Sequence, residues 1–192
     1  MIALVQPRLP DRNYIPNLGL LSLAGVLERE GYPIRIFDEN LDPNYLSELV
    51  RLRPRLVGFT AVTAAVNRVG RAAELLKESV DGVLIAAGGP HVSVLPEETL
   101  SGGRFDYCVV GEGEYPLLEL VRSIFDGQGT PEDIPNLVYR SNGRIRSNPG
   151  RPFLGPEELD RLPFAPFHLL DLERVFPRIT HASTPEARES SP

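Results

Sequence analysis

Short apolar runs alternate with amphipathic stretches five times between residue 1 and about residue 127. Runs of that length are buried strands and the stretches between them carry a helical period, so successive strands are joined by crossover helices and lie parallel. A sheet built this way is covered by helices on both faces. The first run is Ile2-Ala3-Leu4-Val5, closed by Pro7 and Pro10. Asn17 then stands at a helix N-cap position, Leu20, Leu23, Ala24 and Leu27 repeat at helical spacing, and Gly31 sits where a C′ residue belongs. Ile34 to Asp38 and Leu56 to Thr60 read as the second and third strands, with a short helix over Tyr45 to Leu52 between them. A helix near Ala64 to Glu78, a strand over Val83 to Ala87 and a short helix around Pro96 to Leu100 follow. Strand Tyr107 to Val110 and a helix from Glu114 complete the series. The expected architecture is a doubly wound α/β domain on a five-stranded parallel sheet, residues 1–127.

Beyond Gly127 the helical period is lost. Leu137 to Arg140, then Ser141-Asn142-Gly143, then Arg144 to Arg146 read as a β-hairpin with an Asn-Gly turn. Residues 149 to 177 are rich in proline and carry isolated aromatics, so residues 128–177 are read as a hairpin followed by an extended, packed arm. Residues 178–192 are polar, without hydrophobic period, and read as a frayed tail. A net charge of -6 argues against nucleic acid, which needs clustered Lys and Arg. No stretch reaches 18 apolar residues, so no membrane span is expected. The single cysteine, Cys108, excludes an internal disulfide framework and any all-cysteine metal cluster, and points to the cytosol.

In open parallel sheets ligands bind outside the carboxyl ends of the strands. The stretches there are Gln6 to Asn17, Thr60 to Ala65, Gly88 to Leu95 and Gly111 to Tyr115. Gly88-Gly89 lets backbone approach a ligand closely, or simply makes a tight turn. Thr60 and Thr63 bring hydroxyls to the end of strand three, or cap the next helix. Gly111-Glu112-Gly113-Glu114 lies at a strand-to-helix junction, where its carboxylates oppose a phosphate but suit the helix dipole. His91 is the one histidine in these loops, read either as a satisfied structural imidazole or as a ligand. His168 and His181 are assigned no role, and Cys108 is read as an inert buried thiol. No G-x-G-x-x-G follows strand one and no phosphate-binding G-x-x-x-x-G-K-[ST] occurs, which lowers nicotinamide and nucleoside triphosphate readings. No G-x-S-x-G elbow exists either.

At these loops the chain resembles the N-terminal cobalamin-binding domain of cobalamin-dependent radical SAM proteins. The matching stretches are Pro16-Asn17-Leu18-Gly19-Leu20-Leu21, Gly31 to Asp38, Val57-Gly58-Phe59-Thr60, Gly88-Gly89-Pro90-His91-Val92-Ser93-Val94-Leu95-Pro96-Glu97-Glu98 and Val110-Gly111-Glu112-Gly113-Glu114. The arm, with Asp133 to Leu137, Leu162-Pro163-Phe164 and Leu170-Asp171-Leu172, is similar to the family's linker. The resemblance covers about residues 1 to 177. It implies a flavodoxin-like, Rossmann-like cobalamin-binding fold, with the corrin ring over the strand ends and the nucleotide tail in the crevice beside Gly88 and Gly89. The cofactor contacts it implies are Gln6 and Pro7 after strand one, Leu18 at the first helix, Thr60, Ala61 and Thr63 after strand three, Gly88, Gly89, Pro90 and His91 after strand four, and Gly111, Glu112 and Gly113 after strand five.

Two departures qualify the resemblance. Cobalamin domains of the histidine-ligating type supply the cobalt ligand from a D-x-H-x-x-G stretch after strand one, and here Pro7 to Asn17 holds no histidine. The lower axial position is therefore expected to carry no protein imidazole. Family members also continue into a barrel with C-x-x-x-C-x-x-C, whose thiolates hold a [4Fe–4S] cluster. With one cysteine this chain is expected to build no iron–sulfur cluster and to perform no catalysis alone. The reading is a cobalamin-binding module without its barrel. Two alternatives stand beside it: a corrinoid carrier or interaction domain whose arm docks a separate radical SAM protein, and a small-molecule enzyme using Glu112 or His91 as acid or base.

Overall fold

A computed structural model describes residues 1–9, 15–102 and 104–176. The expected tail, with His181, and the part of the first loop holding Pro10 lie outside the described residues. The strands are β1 (Ile2–Gln6), β2 (Ile34–Asp38), β3 (Leu56–Thr60), β4 (Leu84–Gly88), β5 (Tyr107–Val109), β6 (Leu137–Ser141) and β7 (Arg144–Ser147), in one sheet of order β2-β1-β3-β4-β5-β6-β7. The first five pair in parallel, as their crossover connections require. The hairpin does not stand apart: β6 pairs antiparallel with β5 and extends the sheet. Its turn residues Asn142 and Gly143 have φ of 49° and 75°, the left-handed pair of a type I′ turn.

The helices are α1 (Leu18–Arg29), α2 (Tyr45–Leu52), α3 (Val66–Ser79), α4 (Pro90–Val94), α5 (Pro96–Ser101), α6 (Glu114–Asp126) and α7 (Pro156–Asp160). Asn17 caps α1 through Oδ1, which accepts from Leu20 N at 3.0 Å, and Gly31 leaves the helix at φ 83°. The stretch Gly88 to Leu95, expected as a loop, instead enters α4 directly after Gly89. Pro90 occupies the first helical position, where its missing N–H is no loss.

Side chains alternate across the strands, which separates the interior into two layers. Ile2, Leu4, Leu56 and Ala86 face α1 and α6 together with Leu20, Leu27, Leu117 and Leu120. Ala3, Val5, Val57 and Ile85 face the opposite layer with Leu49, Val69, Ala73, Leu76 and Leu100. All five residues of β1 are buried, as a central strand covered on both faces must be. Cys108 is fully buried in that second layer, and desolvation pushes its thiol up to about 12.

The arm straps the α1 face of the domain. Leu154 N donates to Glu112, Arg29 donates to Arg161 O at 2.7 Å, and Pro163 to Pro166 cross α1 at Gly25, where an added Cβ would stand 3.1 Å from Pro163 Cγ. His168 meets Glu28 at 2.8 Å, and Val175 closes a small cluster with Leu41 beyond β2. Helical turns over Pro156–Asp160 and Phe167–Leu169 interrupt the extension expected of it.

Candidate functional site

The strand order reverses between β1 and β3: β2 lies on one side of β1, and β3, β4 and β5 succeed one another on the other. Connections leave these two strands on opposite faces, and a crevice opens outside their carboxyl ends. Here the crevice deepens into a cavity of about 210 Å³ between the sheet and the first turns of α1 and α6. Leu4, Gly58, Ala86, Gly88 and Val109 floor it, and Leu20, Leu23 and Leu117 wall it. The hollow exists because three positions on this face of adjacent strands carry little or no side chain. Gly58 is also a packing requirement, since a Cβ there would come within 2.8 Å of Leu4 Cδ2.

The mouth is polar, and most of its polar groups are already engaged. Glu114 accepts from Ser22 Oγ at 2.8 Å, joining α6 to α1. Glu112 lines the mouth and accepts from Leu154 N at 2.7 Å, joining it to the arm. Ser93 Oγ donates to Gly89 O at 3.0 Å and accepts from Gly111 N at 2.9 Å. Gly89 and Gly111 have φ of 96° and 73°, so both rim turns are left-handed and suit glycine. The Thr60 hydroxyl lines the cavity without a hydrogen-bond partner among the described residues.

A model of the B12 binding domain family matches residues 11–121, more than half of the chain. The chain belongs to this family. The B12-binding domain is 32% identical over 164 residues to an uncharacterized methyltransferase of Pyrococcus horikoshii, covering 83% of this chain and 35% of that protein. It is 29% identical over 156 residues to the anaerobic magnesium-protoporphyrin IX monomethyl ester cyclase of Rubrivivax gelatinosus, covering 77% of this chain and 28% of that protein. It thus spans about a third or less of the length of these curated relatives. Among solved structures it resembles the cobalamin-dependent S-adenosylmethionine radical enzyme OxsB with aqua-cobalamin bound, at TM-score 0.78 and 14% identity over 92% of this chain and 25% of that one. It also resembles the radical S-adenosylmethionine methyltransferase TsrM of Kitasatospora setae with cobalamin and a [4Fe-4S] cluster bound, at TM-score 0.68 and 23% identity over 81% of this chain and 30% of that one. At those identities the likeness establishes the fold, which is the expected Rossmann-like one.

Within the B12-binding domain, six of the residues singled out from the sequence line the cavity: Thr60, Gly88, Gly89, Gly111, Glu112 and Gly113. The other seven lie beside it. Gln6 is buried and ties the first loop to α1, accepting from Asn17 N at 3.1 Å and donating to Ile15 O at 3.3 Å. Pro7 is buried next to it, and Leu18 is exposed at the start of α1. Ala61 is buried, donates its N–H to Gly88 O at 2.8 Å and accepts from His91 N at 3.1 Å. Pro90 and Thr63 are exposed, and the buried His91 ring meets Thr63 Oγ1 through Nδ1 at 3.2 Å. His91 is thus a packed imidazole holding the turn after β3 against α4. Sequence reasoning passed over Leu4, Gly19, Leu23, Gly58 and Ala86 as lining residues. The available signal was Gly58 inside an otherwise larger-residue strand and the small run Ala86-Ala87-Gly88 that ends β4.

No helix among the described residues is long and apolar enough to cross a membrane.

Proposed function

We propose that the cavity between α1 and α6 takes the nucleotide tail of cobalamin, with the corrin ring lying over the rim formed by Gly88-Gly89 and Gly111 to Gly113. The observation that carries this reading is the cavity's size and chemistry. At about 210 Å³ it exceeds the roughly 150 Å³ of an apolar cavity that holds one benzene, and falls below the usual range for whole drug-sized ligands. One bicyclic aromatic base fits such a space and a corrin does not, which supports a reading with the ring outside and the base inside. The leucine walls and the Gly58–Ala86 floor suit a flat apolar base. Thr60 offers an uncommitted hydroxyl to the tail's polar atoms, and the bare backbone of Gly88 lets the tail pass close to the sheet.

The first loop, Pro7 to Asn17, holds no histidine, and His91 is turned to Thr63, so we assign cobalt no protein imidazole. Bound cobalamin would supply methyl-transfer chemistry. The chain's own contribution is to bind and orient: the glycine rim fixes the tail's entry, and the leucine walls exclude water from the base. Iron–sulfur and S-adenosylmethionine chemistry is assigned to a radical SAM barrel outside these residues, in keeping with the greater length of the relatives, and cytosolic operation accords with a lone reduced cysteine. An acid–base role for Glu112 or His91 is disfavoured, because both groups are engaged in structural hydrogen bonds.

Titration of the protein with hydroxocobalamin tests the proposal. A saturable change in the visible spectrum together with a raised melting temperature is expected. Neither response at ligand concentrations up to the millimolar range would refute it.

A further inference from the structure

The ladders around the cavity end at different heights. Between β3 and β4 pairing runs to Thr60 and Gly88, and Ala61 N continues it to Gly88 O. Between β4 and β5 it stops at Ala87 and Cys108, one pair short of Gly88. The other side of β5 is held by Asn136. Its carbonyl accepts from Val110 N at 2.9 Å and its side-chain amide donates to Val110 O at 2.8 Å, binding the end of β5 to β6. One side chain joins the two strand ends: Ser93 Oγ donates to Gly89 O at the end of β4 and accepts from Gly111 N at the end of β5. The bond to Gly89 O is the ordinary back-bond of a serine one turn into a helix. That bond commits the hydroxyl proton and turns the oxygen's lone pairs toward the Gly111 N–H.

We infer that Ser93 is a positioning residue that fixes the spacing of Gly89 and Gly111 on the cavity rim, and so the affinity for corrinoids that carry a nucleotide tail. The inference rests on the cavity reading proposed above. Both rim turns are glycines in left-handed conformations, with no side chains of their own to brace the opening. The serine hydroxyl replaces the next rung that the β4–β5 ladder lacks. A tail entering the cavity over this rim meets two turns already tied together, and the cost of ordering them at binding is avoided.

The experiment compares wild type with Ser93→Ala, Ser93→Thr and Ser93→Cys. Hydroxocobalamin serves as the tailed probe and dicyanocobinamide as the tailless one, and amide exchange at Gly111 is measured without ligand. Loss of a bridging hydroxyl predicts about tenfold weaker hydroxocobalamin binding by Ser93→Ala and about tenfold faster exchange at Gly111. Cobinamide affinity stays the same, and Ser93→Thr, which keeps the hydroxyl, restores both readouts. Equal hydroxocobalamin affinity in a folded Ser93→Ala protein overturns the inference, as does a parallel loss for both corrinoids. Should Ser93→Ala not fold, unchanged discrimination in Ser93→Cys, a poorer acceptor of similar size, overturns it equally. Failure of the wild type to bind hydroxocobalamin at all refutes the cavity reading itself and this inference with it.

Discussion

Valine at position 88 reports on the cavity without disturbing the sheet around it. Gly88 has no positive φ, and a Cβ there would stand 3.6 Å from Val109 O, an ordinary contact, so the backbone accepts a side chain. That side chain points into the cavity, because Gly88 lies two residues beyond Ala86 on the same face of β4. The three added carbon groups would occupy much of the 210 Å³ cavity in which the base is proposed to sit. Overpacking a site by this much costs about 1–3 kcal/mol, equivalent to a roughly 5- to 150-fold loss of hydroxocobalamin affinity. Gly89 is the control. Its φ is 96° and its Cβ would stand 2.8 Å from Thr60 Oγ1 and 3.0 Å from Ala61 O. Gly89→Ala is therefore expected to lower stability by about 1–3 kcal/mol through backbone strain. Calorimetric titration paired with thermal melting separates the two effects. A Gly88→Val protein that melts like wild type and binds hydroxocobalamin with undiminished affinity would refute the reasoning.

Further predictions concern the arm, the buried thiol and the amino end of β5. Glu112→Ala removes the acceptor of Leu154 N–H, so proteolysis of the arm between residues 149 and 160 should accelerate, with a stability loss of about 1 kcal/mol measurable by urea titration. The Cys108 thiol, pushed up to about 12 by burial, should resist a disulfide exchange reagent at pH 8 until the protein unfolds. Because its folded value lies above its ordinary value of 9.0, its stabilising contribution is complete below pH 9 and falls as pH rises toward 12, which melting across that range will register. Asp106 accepts from Lys77 Nζ at 2.6 Å and from Ile85 N at 2.7 Å, so Asp106→Ala should cost about 2 kcal/mol in chemical denaturation.

The elements of this fold are written locally. Asn17 as a cap, Gly31 as a stop, the spacing of Leu20, Ala24 and Leu27, and the Asn142–Gly143 turn each act within a few residues, so the chain's sequence determines them before any tertiary contact forms. The glycine-rich stretches after β4 and β5 were likewise legible, since they follow apolar strands in a parallel pattern whose carboxyl ends carry ligands. The cavity was not. Its floor depends on Gly58, Ala86 and Gly88 becoming neighbours across two strands, and its walls on helices α1 and α6, some 90 residues apart, packing side by side. Periodicity marks Leu20, Leu23 and Leu117 only as core-facing, because a wall and a core layer present the same pattern. The joining of the hairpin to β5, the turning of His91 toward Thr63 and the bridge made by Ser93 are also decided by which strands adjoin, through contacts between residues 18 to 32 positions apart. Local residue chemistry is enough to specify which residues form strands, helices and turns. The tertiary structure alone decided where those elements leave a space, because a void is defined by the atoms of several distant segments at once.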